Sequence, residues 1–208
     1  MTTRIAILGG AFDPPTLGHI DAARVVLGAR LGVAQVWLTP VVGHRFGKAM
    51  SSSESRFTMC KLAAADAADQ RIMASDYEIR HALPGDTYSL LSRLNTDAQY
   101  QGHNEFSFII GQDNAQNFHR WHRAEELKRL APFIVLPRQG IAPDSATSTH
   151  EPAPWYTVAP HVYLATERPV LQSSSTQARS MIASGQSAVE LIVSPGVLAY
   201  IRAHDLYR

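Results

Sequence analysis

One stretch near the start of the chain, Arg4 to Ile20 (RIAILGGAFDPPTLGHI), limits the folds open to it more than any other. Ile5, Ala6, Ile7 and Leu8 form a short apolar run, the pattern of a strand buried on both faces. Gly9-Gly10 is predicted to break that strand, because glycine lets the backbone turn sharply and approach a ligand closely. Asp13-Pro14-Pro15 adds turn chemistry, and each proline pushes the residue before it out of the helical region. From Gly18 the spacing becomes helical, with Ile20, Ala23 and Leu27 on one face. The order is strand, glycine turn, loop, helix. At the end of a parallel strand such a helix start binds anions, since its unpaired N–H groups and its dipole point the same way. His19 falls on the first turn of that helix. No GxxxxGK[ST] follows, which speaks against a P-loop, and no GxGxxG with a later acidic residue, which speaks against a dehydrogenase-type dinucleotide site.

The rest of the chain repeats the alternation. Strands are predicted at Val36–Thr39, Ile72–Ala74, Phe106–Ile110, Phe133–Leu136 and Val162–Ala165. Helices are predicted from the Ser51-Ser52-Ser53-Glu54 cap towards Ala68, and at Thr87–Leu94, Ala124–Leu130, Ser174–Ile182 and Pro195–Ala203. Gly140 to Pro154, rich in Pro, Ser, Thr and Ala, reads as a long surface loop. Strands alternating with helices imply one doubly wound, Rossmann-like α/β domain over residues 1–208, with a mostly parallel sheet and helices on both faces. Ligands of such sheets bind beyond the carboxyl ends of the strands, where the strand order switches. Gly9-Gly10, Thr39-Pro40, Gly111–Asp113 and the residues before Ser174 all fall at such ends.

Composition bears mainly on what to exclude. A net charge of +1, without a basic stripe, argues against a nucleic-acid partner. No apolar run is long enough to span a membrane. One cysteine, Cys60, rules out an internal disulfide and suits a reducing cytoplasm. Cys60 lies in an apolar helical run and is expected in the core. The nine histidines show neither HExxH nor zinc-type spacing, so no protein-held metal is expected.

Gly9, Gly10, Phe12, Asp13, Pro14, Gly18 and His19 match in order the GGxFDPxHxGH signature, and the chain resembles the nucleotidyltransferase superfamily of adenylyl- and cytidylyltransferases. Thr16 stands where many members have a first histidine. Ser173–Arg179 (SSSTQAR) resembles the family's ISSTxIR motif, with Ala178 in place of isoleucine. Ile110–Asp113 with Phe118 and Trp121 resembles the IIGxD…W segment of bacterial nicotinate-nucleotide adenylyltransferases. Asp76–Arg80 with Thr87, the His44-Arg45 turn, and Val197–Ile201 with Leu206-Tyr207 extend that resemblance over nearly the whole chain.

The resemblance implies transfer of AMP from ATP to a pyridine mononucleotide, nicotinate before nicotinamide, with Mg²⁺ accompanying ATP. It implies His19, Thr16 and Arg179 as catalytic residues. It gives ATP to Gly9, Gly10, Phe12, His19, Gly111, Asp113, Ser174, Ser175, Thr176 and Arg179, with Asp113 on the ribose. It gives the mononucleotide to Arg45, Lys48, Thr87, Trp121 and Arg138, with Trp121 stacking on the pyridine ring. Alternatives are another phosphate acceptor such as phosphopantetheine, favoured by Thr16, and a nucleotide-binding regulatory module without turnover.

Overall fold

The computed structural model describes residues 2–43, 50–138, 153–165 and 170–208. Six strands form one sheet: β1 (Thr3–Gly10), β2 (Gln35–Pro40), β3 (Ile72–Ala74), β4 (Asn104–Gly111), β5 (Phe133–Leu136) and β6 (Val162–Tyr163). All five pairings are parallel, in the order β3-β2-β1-β4-β5-β6. The direction of winding reverses between β1 and β4, so the sheet has its switch point beside the stretch from which the sequence argument started.

The helices are α1 (Leu17–Gly28), α2 (Ser53–Asp66), α3 (Tyr77–Arg80), α4 (Thr87–Thr96), α5 (Gln112–Gln116), α6 (Ala124–Leu130), α7 (Ser175–Ala183) and α8 (Pro195–Ala203). None among the described residues is long and apolar enough to cross a membrane. Strand residues alternate between two cores, as a period of two requires. Ala6, Val36, Leu38, Ile109 and Ile134 pack with α1, α2, α7 and α8. Ile5, Ile7, Phe106, Phe108, Ile110 and Phe133 pack on the other face with α4, α5 and α6. Cys60 is buried in the first core.

The predicted elements are all present, with two differences of cause. The strand runs through Gly9 and Gly10 rather than breaking there. A Cβ on Gly9 would lie 2.6 Å from Cζ of Phe108 on the neighbouring strand, so Gly9 serves close packing. The turn falls instead at Phe12, held at a φ of +50° in the left-handed region. At α2 the cap is Ser52, whose hydroxyl accepts the Ser55 N–H at 3.1 Å, so Ser55 rather than Glu54 answers it. The reading of 140–154 as a loop lies mostly outside the described residues.

Candidate active site

Beyond the carboxyl ends of the strands the structure builds two compartments. The first, about 110 Å³, lies between Gly18 and His19 of α1, Gly111 and Arg138 at the ends of β4 and β5, and Leu171–Ser173 before α7. The second, about 300 Å³, lies between Ala11, Val41, Thr87, Tyr88, Arg120 and Trp121. The largest cavity, about 630 Å³, is at the opposite, amino end of the sheet around Arg4, Glu105 and Pro160. No predicted site residue lines that cavity.

The first compartment is assembled by backbone. Ser173 Oγ accepts the Gly18 N–H at 2.9 Å, and a Cβ on Gly18 would sit 2.6 Å from the Leu171 carbonyl oxygen. Only glycine lets α1 start this close to the strand leading into α7. Ser174 caps α7 by accepting the Gln177 N–H at 3.1 Å. The Ser175 hydroxyl donates to the Pro14 carbonyl at 2.8 Å. Arg179 donates through Nη1 to the Asp13 carbonyl at 2.7 Å and through Nη2 to Thr176 Oγ1 at 3.3 Å. The two motifs predicted to grip phosphate therefore touch each other, although they are far apart in sequence.

His19 is half-buried. Its ring lies 4.9 Å from the ring of Phe12. Burial first, and the positive charge of Arg138 second, pull its pKa down to about 4, so the imidazole is neutral at physiological pH. Thr16 was expected to donate a hydroxyl beside His19. It is 2% exposed, and the hydroxyl is turned towards His19 Nδ1 and the Ser173 carbonyl.

Arg138 was expected on the mononucleotide side, but lies in the first compartment. Gly111 pairs with Leu136 in the sheet, which puts Asp113 and Arg138, each two residues further on, side by side. Their ion pair spans 2.8 Å. Trp121 and Thr87 share the second compartment, as predicted. Phe118 stacks under Trp121 at 5.0 Å between ring centroids, and Phe108 meets it edge-on. Arg45 and Lys48 lie outside the described residues.

Sequence reasoning missed a buried polar network that ties these loops together. Arg56 of α2 is 1% exposed. Its Nη1 donates to the Ala11 carbonyl and its Nη2 to the Val42 carbonyl, both at 2.9 Å, and its Nε to Ser51 at 3.0 Å. Asp13, also buried, accepts the Tyr207 hydroxyl at 2.6 Å and the Ser51 N–H at 3.3 Å through Oδ1. Burial and that bond to Asp13 push the Tyr207 phenol well above its usual pKa. The signals available were an arginine sharing an apolar helix face with Met59, Cys60 and Ala63, and a terminal motif of the resembled family.

Glu78 completes the network, accepting the Val42 N–H at 3.3 Å. Burial is the main cause that raises its pKa to about 7. Its unfolded pKa is lower, so between about 4.5 and 7 the folded state keeps a proton that the unfolded state loses. Stability therefore falls as pH rises through that window. Glu78→Gln, which keeps an accepting oxygen, should flatten this dependence and be the more stable protein at pH 8. Urea unfolding of both proteins at pH 5 and pH 8 checks this; parallel pH curves would count against it.

The fold and this paired-motif cleft define a nucleotidyltransferase site, and the chain belongs to the cytidylyltransferase-like family, whose model matches residues 7–181. Among its relatives, one from Anaeromyxobacter dehalogenans is 33% identical over 98% of this chain and 96% of its own length. Another, from a Synechococcus strain, is 36% identical over 98% and 94%. Both carry the name "probable nicotinate-nucleotide adenylyltransferase". A nicotinic acid mononucleotide adenylyltransferase of Plasmodium falciparum, solved in complex with NaAD, shares the fold with a TM-score of 0.77. That likeness is at 21% identity and covers 99% of this chain and 97% of the other.

Proposed function

We propose that this chain transfers the adenylyl group of ATP to the phosphate of nicotinate mononucleotide, releasing pyrophosphate and forming the dinucleotide of NAD biosynthesis. The observation that carries the reading is the presence, at the carboxyl ends of the strands, of a donor-lined compartment and an aromatic one, in a chain whose relatives bear that name over nearly their whole length.

The mononucleotide phosphate attacks the α-phosphorus of ATP in line, and the bond to the bridging oxygen of pyrophosphate breaks. The attacking phosphate is already ionised, so no protein base or nucleophile is required. Catalysis is then positioning and charge stabilisation. His19 donates to the ATP phosphates where charge develops. Ser174, Thr176, Arg179 and the backbone N–H of Ser175 at the start of α7 hold the β- and γ-phosphates. Gly9, Gly10 and Phe12 line the nucleotide's path, Gly111 and Asp113 take the ribose, and Arg138 acts on this ATP side. Trp121 stacks on the pyridine ring.

The phosphate-facing side chains are hydroxyls, an imidazole and a guanidinium, and Asp13 is occupied by Tyr207 and Ser51. Among the described residues no group of three or more His, Cys, Asp or Glu could hold a metal ion. That donor set suits Mg²⁺ arriving on ATP and bonded chiefly to phosphate oxygens, where it supplies positive charge to the leaving pyrophosphate. One catalytic unit spans residues 1–208, and the buried free thiol of Cys60 fits a cytoplasmic location.

The acceptor preference tests the reading. The Thr87 hydroxyl, at the first residue of α4, has no partner among the described residues, and Arg120 lines the same compartment. A site offering donors favours a carboxylate and leaves the N–H₂ of a carboxamide facing other donors. The kcat/KM for nicotinate mononucleotide should exceed that for nicotinamide mononucleotide by at least about tenfold. Both acceptors are to be measured at saturating ATP and Mg²⁺ by pyrophosphate release. A preference for the amide would reassign the acceptor and leave adenylyl transfer standing.

A further inference from the structure

Thr16 occupies the N-cap of α1, and His19 stands three residues on. In the usual capping box a Glu or Gln side chain reaches back from that position to the N-cap N–H. Here the imidazole takes its place: the Thr16 backbone N–H donates to His19 Nδ1 at 2.9 Å. The Thr16 hydroxyl lies 2.9 Å from the same nitrogen and 3.3 Å from the Ser173 carbonyl oxygen. Both donors of Thr16 are thus spent inside the protein. An amide N–H can only donate, so Nδ1 must accept and carries no proton. A neutral imidazole with an accepting Nδ1 holds its proton on Nε2. An imidazolium would set one N–H against another.

Resting on the adenylyl-transfer reading, we propose that Thr16 is a positioning residue: its backbone N–H fixes His19 as the neutral Nε2–H tautomer, and its hydroxyl, set between the Ser173 carbonyl and Nδ1, holds the ring in its aim. The imidazole then meets the ATP phosphates as one aimed hydrogen-bond donor, neither cation nor proton acceptor.

The surroundings agree. Arg138 from the end of β5 faces the ring with its partner Asp113 from α5, and Arg179 of α7 is held at the Asp13 carbonyl. Asp21, on α1 itself, is engaged by the Leu171 N–H at 2.8 Å. The Phe12 ring packs beside the imidazole. Burial and the Arg138 charge both disfavour the imidazolium. Positive charge is left to the arginines, while His19 supplies direction. A tautomer set before ATP arrives needs no rearrangement during the reaction, the condition under which a donor stabilises a transition state most.

The direct test is the ¹⁵N spectrum of the imidazole nitrogens in uniformly labelled protein, with His19 assigned by its absence from the His19→Gln variant. At pH 7, free and with α,β-methylene-ATP and Mg²⁺, Nδ1 should give an unprotonated signal and Nε2 a protonated one. A protonated Nδ1, alone or together with Nε2, overturns the proposal. Kinetics provide the second readout. Thr16→Val should lose about tenfold in kcat, the factor that one net hydrogen bond commands, with the KM for ATP nearly unchanged. Thr16→Ser should stay within about threefold of wild type. Equal activity of the two variants also overturns the proposal, since the side chain would then take no part. The expected spectrum in a protein that transfers no adenylyl group would count against the functional reading alone.

Discussion

His19→Ala is expected to lower kcat by at least about a hundredfold, the usual cost of removing one donor from a site that stabilises developing charge. The imidazole sits on the first turn of α1, at the wall shared with Ser173, Gly111 and Arg138. On the proposed mechanism its loss removes the N–H that meets phosphate, and neighbouring hydroxyls are engaged elsewhere: Ser175 with Pro14, and Thr16 with Ser173 and His19. The fold should survive, because the ring is half-buried and the apolar stripe of α1 is carried by Ile20, Ala23, Val26 and Leu27. The effect should therefore appear in kcat while the melting temperature moves little. Turnover within a few-fold of wild type, in a variant with an unchanged melting curve, would remove His19 from the mechanism.

Arg56→Leu is expected to produce the largest loss of stability, about 3–5 kcal/mol, the range for breaking a buried charged pairing by deleting one partner. The guanidinium satisfies carbonyls of three separate segments, Ala11 after β1, Val42 after β2 and Ser51 before α2. Leucine fills much of the volume but donates to none of them. The three carbonyls then stay desolvated and unpaired, and the Asp13 carboxylate loses the nearest compensating charge. For a chain of this size the loss corresponds to roughly 10 °C in melting temperature. Arg56→Lys should recover only part, because one ammonium cannot reproduce a planar fork with three separate targets. A thermal melt of both variants decides it. An Arg56→Leu protein melting within about 2 °C of wild type would mean that water replaces the guanidinium.

The contrast between these two residues shows what kind of feature was legible beforehand. His19 follows an apolar run, a proline turn and a helical period, all local, so its place at a helix start could be read directly. A mostly parallel sheet was equally legible, because the apolar runs are short and separated by helical spacing, and the structure makes all five pairings parallel. Gly9 was assigned the wrong job, since turning and close packing call for the same residue and only the Phe108 ring across the sheet tells them apart. The helices α3 and α5 are too short to show a period. The pairing of Arg138 with Asp113 was not legible, because it depends on the register of β5 against β4, which no local pattern encodes. Arg56 could not be found from its partners, because three backbone carbonyls in the loops after β1 and β2 leave no trace in residue identity.

The contact between Tyr207 and Asp13 joins residues 194 positions apart. Translation makes Asp13 long before Tyr207. A nascent chain on the ribosome that has already formed β1 and its neighbours still lacks the hydroxyl that occupies the Asp13 carboxylate. The order of synthesis thus leaves this bond, and the tie it makes between the turn after α8 and the segment after β1, to form only once residue 207 is free to fold back.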